Sequence, residues 1–138
     1  MIPTYLESSA LLAAVLEQDS ALTDAVLGGP RFLVSELTLV EARRSLVRLR
    51  GLGTVSASDV DRLRSRLEQV ALRCDVIPMH PAVLARCAQP FPVEPVRTLD
   101  AIHLATLELL ASEWAHLRVL TRDRRVAANA EALGLTVG

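Results

Sequence analysis

Short apolar runs alternate along this chain with longer segments whose apolar residues recur at helical spacing, and that alternation limits the fold more than any other feature. Residues 3–6, Phe32-Leu33-Val34, Asp75-Val76-Ile77-Pro78, 117–121 and Leu135-Thr136-Val137 read as strands. Helices are expected over about 9–17, 21–27, 36–50, from Ser56 or Ser58 to Leu72, from Pro81 onward, over 98–112 and over 123–133. Ser35 is a natural N-cap for the third of these. Gly51, Gly134 and the run Gly28-Gly29-Pro30 read as helix stops. Pro90, Pro92 and Pro95 make 89–96 a loop. Strands separated by helices imply a parallel α/β sheet. At 138 residues the expectation is one domain, 1–138, with a central sheet of four or five strands.

Composition supports that reading and narrows the function. Hydrophobic residues make up 51% and aromatics only 3%, which suits helices packed on a small sheet better than an all-β domain. No apolar stretch approaches the ~20 residues of a membrane span. No charged segment followed by an apolar one opens the chain, so an export signal is not expected and a cytoplasmic location is. Cys74 and Cys87 lack a CxxC spacing and read as reduced, buried thiols. The net charge of -1 gives no hint of a nucleic-acid partner. All 15 basic residues, however, are arginine, grouped at Arg43, Arg44, Arg48 and Arg50, at Arg62, Arg64 and Arg66, and at Arg122, Arg124 and Arg125. Solvated helix faces and phosphate binding both account for such groups.

Four acids interrupt or open apolar segments: Glu7, Glu41, Asp100 and Asp123. A carboxylate in apolar surroundings is costly unless paired, hydrogen-bonded or metal-bound. Each has an ordinary explanation on its own. Asp123 suits a helix N-cap, Asp100 a first helical turn, Glu41 a pair with Arg44 or Ser45, and Glu7 a bond to the adjacent serines. Their placement argues for a joint role. Glu7 follows the first strand and Asp123 the fourth, and open parallel sheets bind ligands beyond those strand ends. Glu41 and Asp100 lie on helices that would pack over the same crevice. Hard cations such as Mg2+ take oxygen ligands of this kind. His103, one turn after Asp100, is expected to pack or hydrogen-bond; His80 and His116 read as surface residues, and Trp114 as core or interface.

The segments Tyr5-Leu6-Glu7-Ser8-Ser9-Ala10-Leu11, Ser35-Glu36-Leu37-Thr38-Leu39-Val40-Glu41, Arg97-Thr98-Leu99-Asp100-Ala101-Ile102-His103-Leu104-Ala105 and Thr121-Arg122-Asp123-Arg124-Arg125 follow one another in an order that resembles the PIN-domain ribonucleases. The likeness runs from residue 2 to 137 and is greatest to VapC-type toxins of bacterial toxin–antitoxin pairs. The third segment is the most specific. One departure concerns the first acid, usually aspartate in the family and here Glu7, a methylene longer.

The resemblance implies a PIN-like three-layer fold and a Mg2+- or Mn2+-dependent endoribonuclease, in which a metal-activated water hydrolyses an RNA phosphodiester. Glu7, Glu41, Asp100 and Asp123 would be the catalytic set, with Glu7 and Asp100 as direct metal ligands and Glu41 and Asp123 binding directly or through water. Ser9, Arg43, Arg97, Thr121 and Arg122 are the candidates for RNA contact. A homodimer and a cognate antitoxin are implied partners, the antitoxin lying along apolar helix faces over 37–49 and 60–72. The first rival is a catalytically weak or inactive PIN-like domain that only binds RNA or protein. The second, a receiver-like signalling domain, needs a lysine after a late strand, and this chain has none.

Overall fold

Five three- or two-residue strands form one all-parallel sheet in the computed structural model, which describes residues 2–28 and 31–138. They are β1 (Thr4–Leu6), β2 (Leu33–Ser35), β3 (Asp75–Ile77), β4 (Arg118–Leu120) and β5 (Thr136–Val137), in the order β3-β2-β1-β4-β5. Tyr5 pairs with Leu33 on one side and Val119 on the other. The chain steps outward from β1 to β2 to β3, then returns to place β4 against the other side of β1. The sheet order therefore reverses between β1 and β4, where a parallel sheet opens a crevice at its C-terminal edge.

Helices cover both faces. α1 (Ser8–Val15), α2 (Ser20–Leu27), α3 (Glu36–Leu52) and α4 (Ala57–Ala71) lie in the first half of the chain; α5 (Pro81–Arg86), α6 (Thr98–Glu113) and α7 (Arg124–Ala132) lie in the second. Successive strand residues point to opposite faces, so each strand feeds two cores. Leu6 and Val34 join Leu11, Val15, Leu46, Leu67 and Val70 under α1–α4. Tyr5, Leu33 and Val119 join Val83, Leu104, Leu107 and Val126 under α5–α7. Truncating a fully buried leucine such as Leu104 would cost about 2–5 kcal/mol.

Local sequence explains most of the boundaries. Ser35 caps α3 by accepting the Leu37 N–H, and the Thr38 hydroxyl accepts the Ser35 N–H in return. α3 runs through Gly51 and ends at Gly53, whose φ of 70° is the left-handed conformation that terminates helices. Gly28 is the C-cap of α2, while Gly29 and Pro30 of the expected stop lie outside the described residues. α1 begins one residue earlier than its pattern suggests, because Glu7 itself is the N-cap. The proline-containing loop 89–96 is pinned to α7 by buried Asn129, whose amide accepts the Val93 N–H at 2.8 Å and donates to the Val93 carbonyl at 2.9 Å.

Several surface expectations change. The apolar face of α4 (Val60, Leu63, Leu67, Val70) is buried in the core and cannot line a partner groove. On α3, Leu37 and Leu46 are buried, while Val40 and Val47 stay about half exposed. Cys74 and Cys87 are free thiols, half-buried rather than fully buried. Trp114 is exposed rather than in the core, while His80 and His116 are exposed as expected. No helix among the described residues is long and apolar enough to cross a membrane.

Candidate active site

The four acids stand at the C-terminal edge of the sheet, around the crevice between β1 and β4. Glu7 is the residue after β1, and its backbone N–H donates to the Leu120 carbonyl of β4 at 3.0 Å. That bond closes the two strand ends on each other. The Glu7 side chain turns back to cap α1, accepting the Ser9 N–H at 2.6 Å and the Thr121 hydroxyl at 3.3 Å. It is only 4% exposed. Burial pushes its carboxyl above the usual range, and the Asp123 charge adds to the rise; the Ser9 N–H and nearby His103 oppose it.

Asp123 follows β4 and caps α7, with Oδ1 accepting the Arg125 N–H at 2.8 Å and the Val126 N–H at 3.1 Å. Asp100 occupies the first turn of α6 and is nearly buried. Arg97, the N-cap residue of α6, reaches between them: Nε lies 3.4 Å from Asp100 Oδ2 and Nη2 lies 3.8 Å from Asp123 Oδ2. Three helix N-termini thus point at this crevice, and their partial positive charge favours the carboxylates they carry.

Glu41 comes from the second turn of α3. Its partners are neither Arg44 nor Ser45 but His103 Nε2 at 2.6 Å and the Ser8 hydroxyl at 2.7 Å, both on Oε1. Burial alone would raise its carboxyl; the bonds from His103 and Ser8 outweigh it and hold the carboxyl below its ordinary value. Glu41, Arg97, Thr98, Leu99 and Asp100 line one cleft of about 470 Å³. His103 is itself buried, with Nδ1 2.7 Å from the Tyr5 hydroxyl. Ser8 Oγ is also 3.2 Å from His103 Nε2. This is no nucleophilic triad, since Ser8 and Glu41 share the same ring nitrogen and the other nitrogen faces a phenol.

The donor set suits a hard divalent cation: four carboxylates around one crevice, no sulfur, and one buried acid whose ionisation a cation would favour. Among the described residues, no three acidic, histidine or cysteine side chains stand as a ready-made cage. In the arrangement seen, the acids are held by caps, by His103 and by Arg97.

The residues expected at the RNA-facing rim divide. Arg97 is 72% exposed beside two of the acids. Thr121, by contrast, is buried, and its oxygen is taken by Glu7, Ser9 and the Asp123 N–H. Ser9 accepts the Arg122 N–H at 2.7 Å, and Arg122 pairs with Asp19 at 2.8 Å. Arg43 is bound through two nitrogens to Glu68 of α4, so it braces the α3–α4 pair. Arg62, Arg64 and Arg66 have intrachain acidic partners too, at Asp59, Asp61 and Glu17. Sequence reasoning left out Tyr5 and Asn129. Tyr5, the chain's single tyrosine, carries a signal in its placement, two residues before the first acid on a strand.

A parallel α/β domain with two acids after the adjacent strand ends β1 and β4, and two more on α3 and α6 beside them, defines a fold with a carboxylate-lined crevice rather than one protein. Residues 4–132 match the PIN domain family, and the chain belongs to that family. It is 33% identical over 137 residues to Ribonuclease VapC35 of Mycobacterium tuberculosis, covering 96% of this chain and 93% of that protein. Two solved structures share the fold. PAE2754 from Pyrobaculum aerophilum superposes with a TM-score of 0.65 at 19% identity, covering 99% of this chain and 83% of its own. VapBC2 from Rickettsia felis, solved bound to a DNA fragment from their promoter, gives 0.66 at 11% identity, covering 100% and 98%.

Proposed function

We propose that this protein is a metal-dependent endoribonuclease and the toxin of a toxin–antitoxin pair. The observation that carries the reading is the grouping of Glu7, Glu41, Asp100 and Asp123 around one crevice, in a PIN-family chain one third identical to a ribonuclease. Mg2+ or Mn2+ is the cofactor, held by Glu7 and Asp100 directly and by Glu41 and Asp123 directly or through water. When bound, the ion supplies a water of lowered pKa and neutralises charge at the phosphate. The chain's own residues hold the substrate and keep the acids in place. Arg97, exposed at the mouth, offers a planar fork to a phosphodiester, with Ser9 and Arg122 further along the same rim. Caps from Glu7 and Asp123 fix two of the acids to rigid elements, so ligand positions do not depend on loop order.

A cognate antitoxin, a homodimeric state and a cytoplasmic location complete the reading. They draw on the likeness to VapC-type toxins and, for the antitoxin, on the VapBC2 neighbour. Half-exposed Val40 and Val47 on α3 are the apolar surface such a partner would cover.

The test is cleavage of a structured RNA by purified protein and by Asp100→Asn. If Asp100 is only a favourable first-turn acid, the substitution costs ~0.3–1 kcal/mol of stability and leaves cleavage intact. The proposal expects cleavage to fall by orders of magnitude with the melting temperature held, EDTA to abolish wild-type cleavage, and Mn2+ to restore it. Full activity in Asp100→Asn would remove Asp100 from the metal site and with it the central claim; no cleavage by the wild-type protein would favour the inactive RNA- or protein-binding domain.

A further inference from the structure

We propose that Tyr5 and His103 are positioning residues for the cation site: the Tyr5 hydroxyl fixes one tautomer of His103, and His103 with Ser8 fixes Glu41 so that a single oxygen faces the cleft. The inference rests on the metal-dependent reading above and deepens it.

The hydrogen-bond inventory leaves little choice of proton positions. An ionised carboxylate only accepts, so the 2.6 Å approach of His103 Nε2 to Glu41 Oε1 requires a proton on Nε2. In a neutral ring Nδ1 is then an acceptor, and the Tyr5 hydroxyl 2.7 Å away is its donor. Tyr5 is fully buried, so this donor has no access to solvent water. The tyrosine and imidazole rings meet edge-on, with centroids 6.0 Å apart and planes at 73°. Ser8 donates to the same Glu41 oxygen at 2.7 Å.

Oε1 therefore takes two donors. Oε2 has no hydrogen-bond partner among the described residues, and Glu41 lines the cleft it shares with Asp100 and Arg97. A glutamate on a helix has several rotamers, and holding one open to solvent has an entropic cost. Here that cost is met by groups buried in the opposite core from most of α3: Tyr5 and Leu104, which flanks His103, belong to the cluster under α5–α7. Such outer-shell partners orient ligands, and their loss lowers metal affinity by about 10- to 100-fold.

Two measurements test this on the intact chain. Long-range 1H–15N correlation at mildly alkaline pH should report a His103 ring protonated at Nε2; a proton on Nδ1 would overturn the proposal. Mn2+ titration by electron paramagnetic resonance, with no RNA present, should show Tyr5→Phe binding about 10-fold or more weakly than wild type. His103→Leu should lose as much, while His103→Gln, which can place an N–H near Nε2, should recover most of the affinity. Unchanged Mn2+ affinity in Tyr5→Phe, or His103→Gln no better than His103→Leu, refutes the positioning role and leaves the nuclease reading standing. Absence of Mn2+ binding by the wild type refutes both.

Discussion

Asp123 has two roles that a pair of substitutions can separate. Its Oδ1 caps α7 through the N–H groups of Arg125 and Val126, while Oδ2 faces Arg97 at 3.8 Å across the crevice. Asp123→Ala removes both and should cost about 0.5–2 kcal/mol, the usual range for a lost N-cap. With an unfolding entropy of about 2.1 cal/mol/K per residue, a chain of 138 residues loses about 3–4 °C per kcal/mol. Asparagine caps as well as aspartate, so Asp123→Asn keeps the cap and removes only the charge. The ion pair it gives up is weak, because Arg97 is 72% exposed. Repulsion on buried Glu7 falls at the same time. Metal-free Asp123→Asn should therefore melt at or above wild type and Asp123→Ala below it, whereas both should lose Mn2+-dependent RNA cleavage by orders of magnitude. The assays are far-UV thermal melts beside cleavage time courses. Wild-type cleavage by Asp123→Asn would remove Asp123 from the metal site, and equal melting of the two variants would refute the cap argument.

Two further predictions concern pH and the loop that carries Arg97. Glu7 has a folded-state carboxyl raised by burial, so its contribution to stability is full below the unfolded value of about 4.3 and is lost as pH rises through the folded value. Glu7→Gln should accordingly raise the metal-free melting temperature at neutral pH, with the gain shrinking on acidification; a gain independent of pH would refute the buried-charge account. Asn129→Ala removes the clamp on Val93 and should cost about 1–3 kcal/mol. It should also speed hydrogen exchange at the Val93 amide, and unchanged exchange would show the loop to be held by other contacts.

What the sequence shows and what it hides divide along the range of the interactions. The parallel sheet was legible because each strand is bounded by local signals, and the crevice followed because Glu7 and Asp123 lie immediately after β1 and β4. The roles of the arginines were not legible. Arg43 looks like its neighbours in sequence, and only the packing of α3 on α4 brings Glu68, 25 residues away, to its guanidinium. Thr121 reads as a rim residue until the Glu7–Leu120 backbone bond draws the two strand ends together and buries it.

Glu41 shows the same limit at the site itself. Its apolar flanks mark it as unusual, and local spacing offers Arg44 or Ser45 as partners. The actual donors, Ser8 and His103, come from 33 and 62 residues away, and Tyr5 behind His103 from 98. Periodicity could place Tyr5 only on a strand and His103 only one turn beyond Asp100. Their meeting depends on β1 lying centrally in the sheet, with Tyr5 directed toward the core under α6 and Ser8 starting the helix that follows. The first motif thus contributes more than an acid. Over Tyr5, Glu7 and Ser8 it supplies a buried donor, a carboxylate and a hydroxyl, each directed by the change from strand to helix between Leu6 and Ser8. A shift of one residue in β1 would reverse the faces of Tyr5 and Leu6, separating His103 from its donor and Glu41 from its support. The register of a three-residue strand is therefore a condition of the site's geometry as well as of the fold.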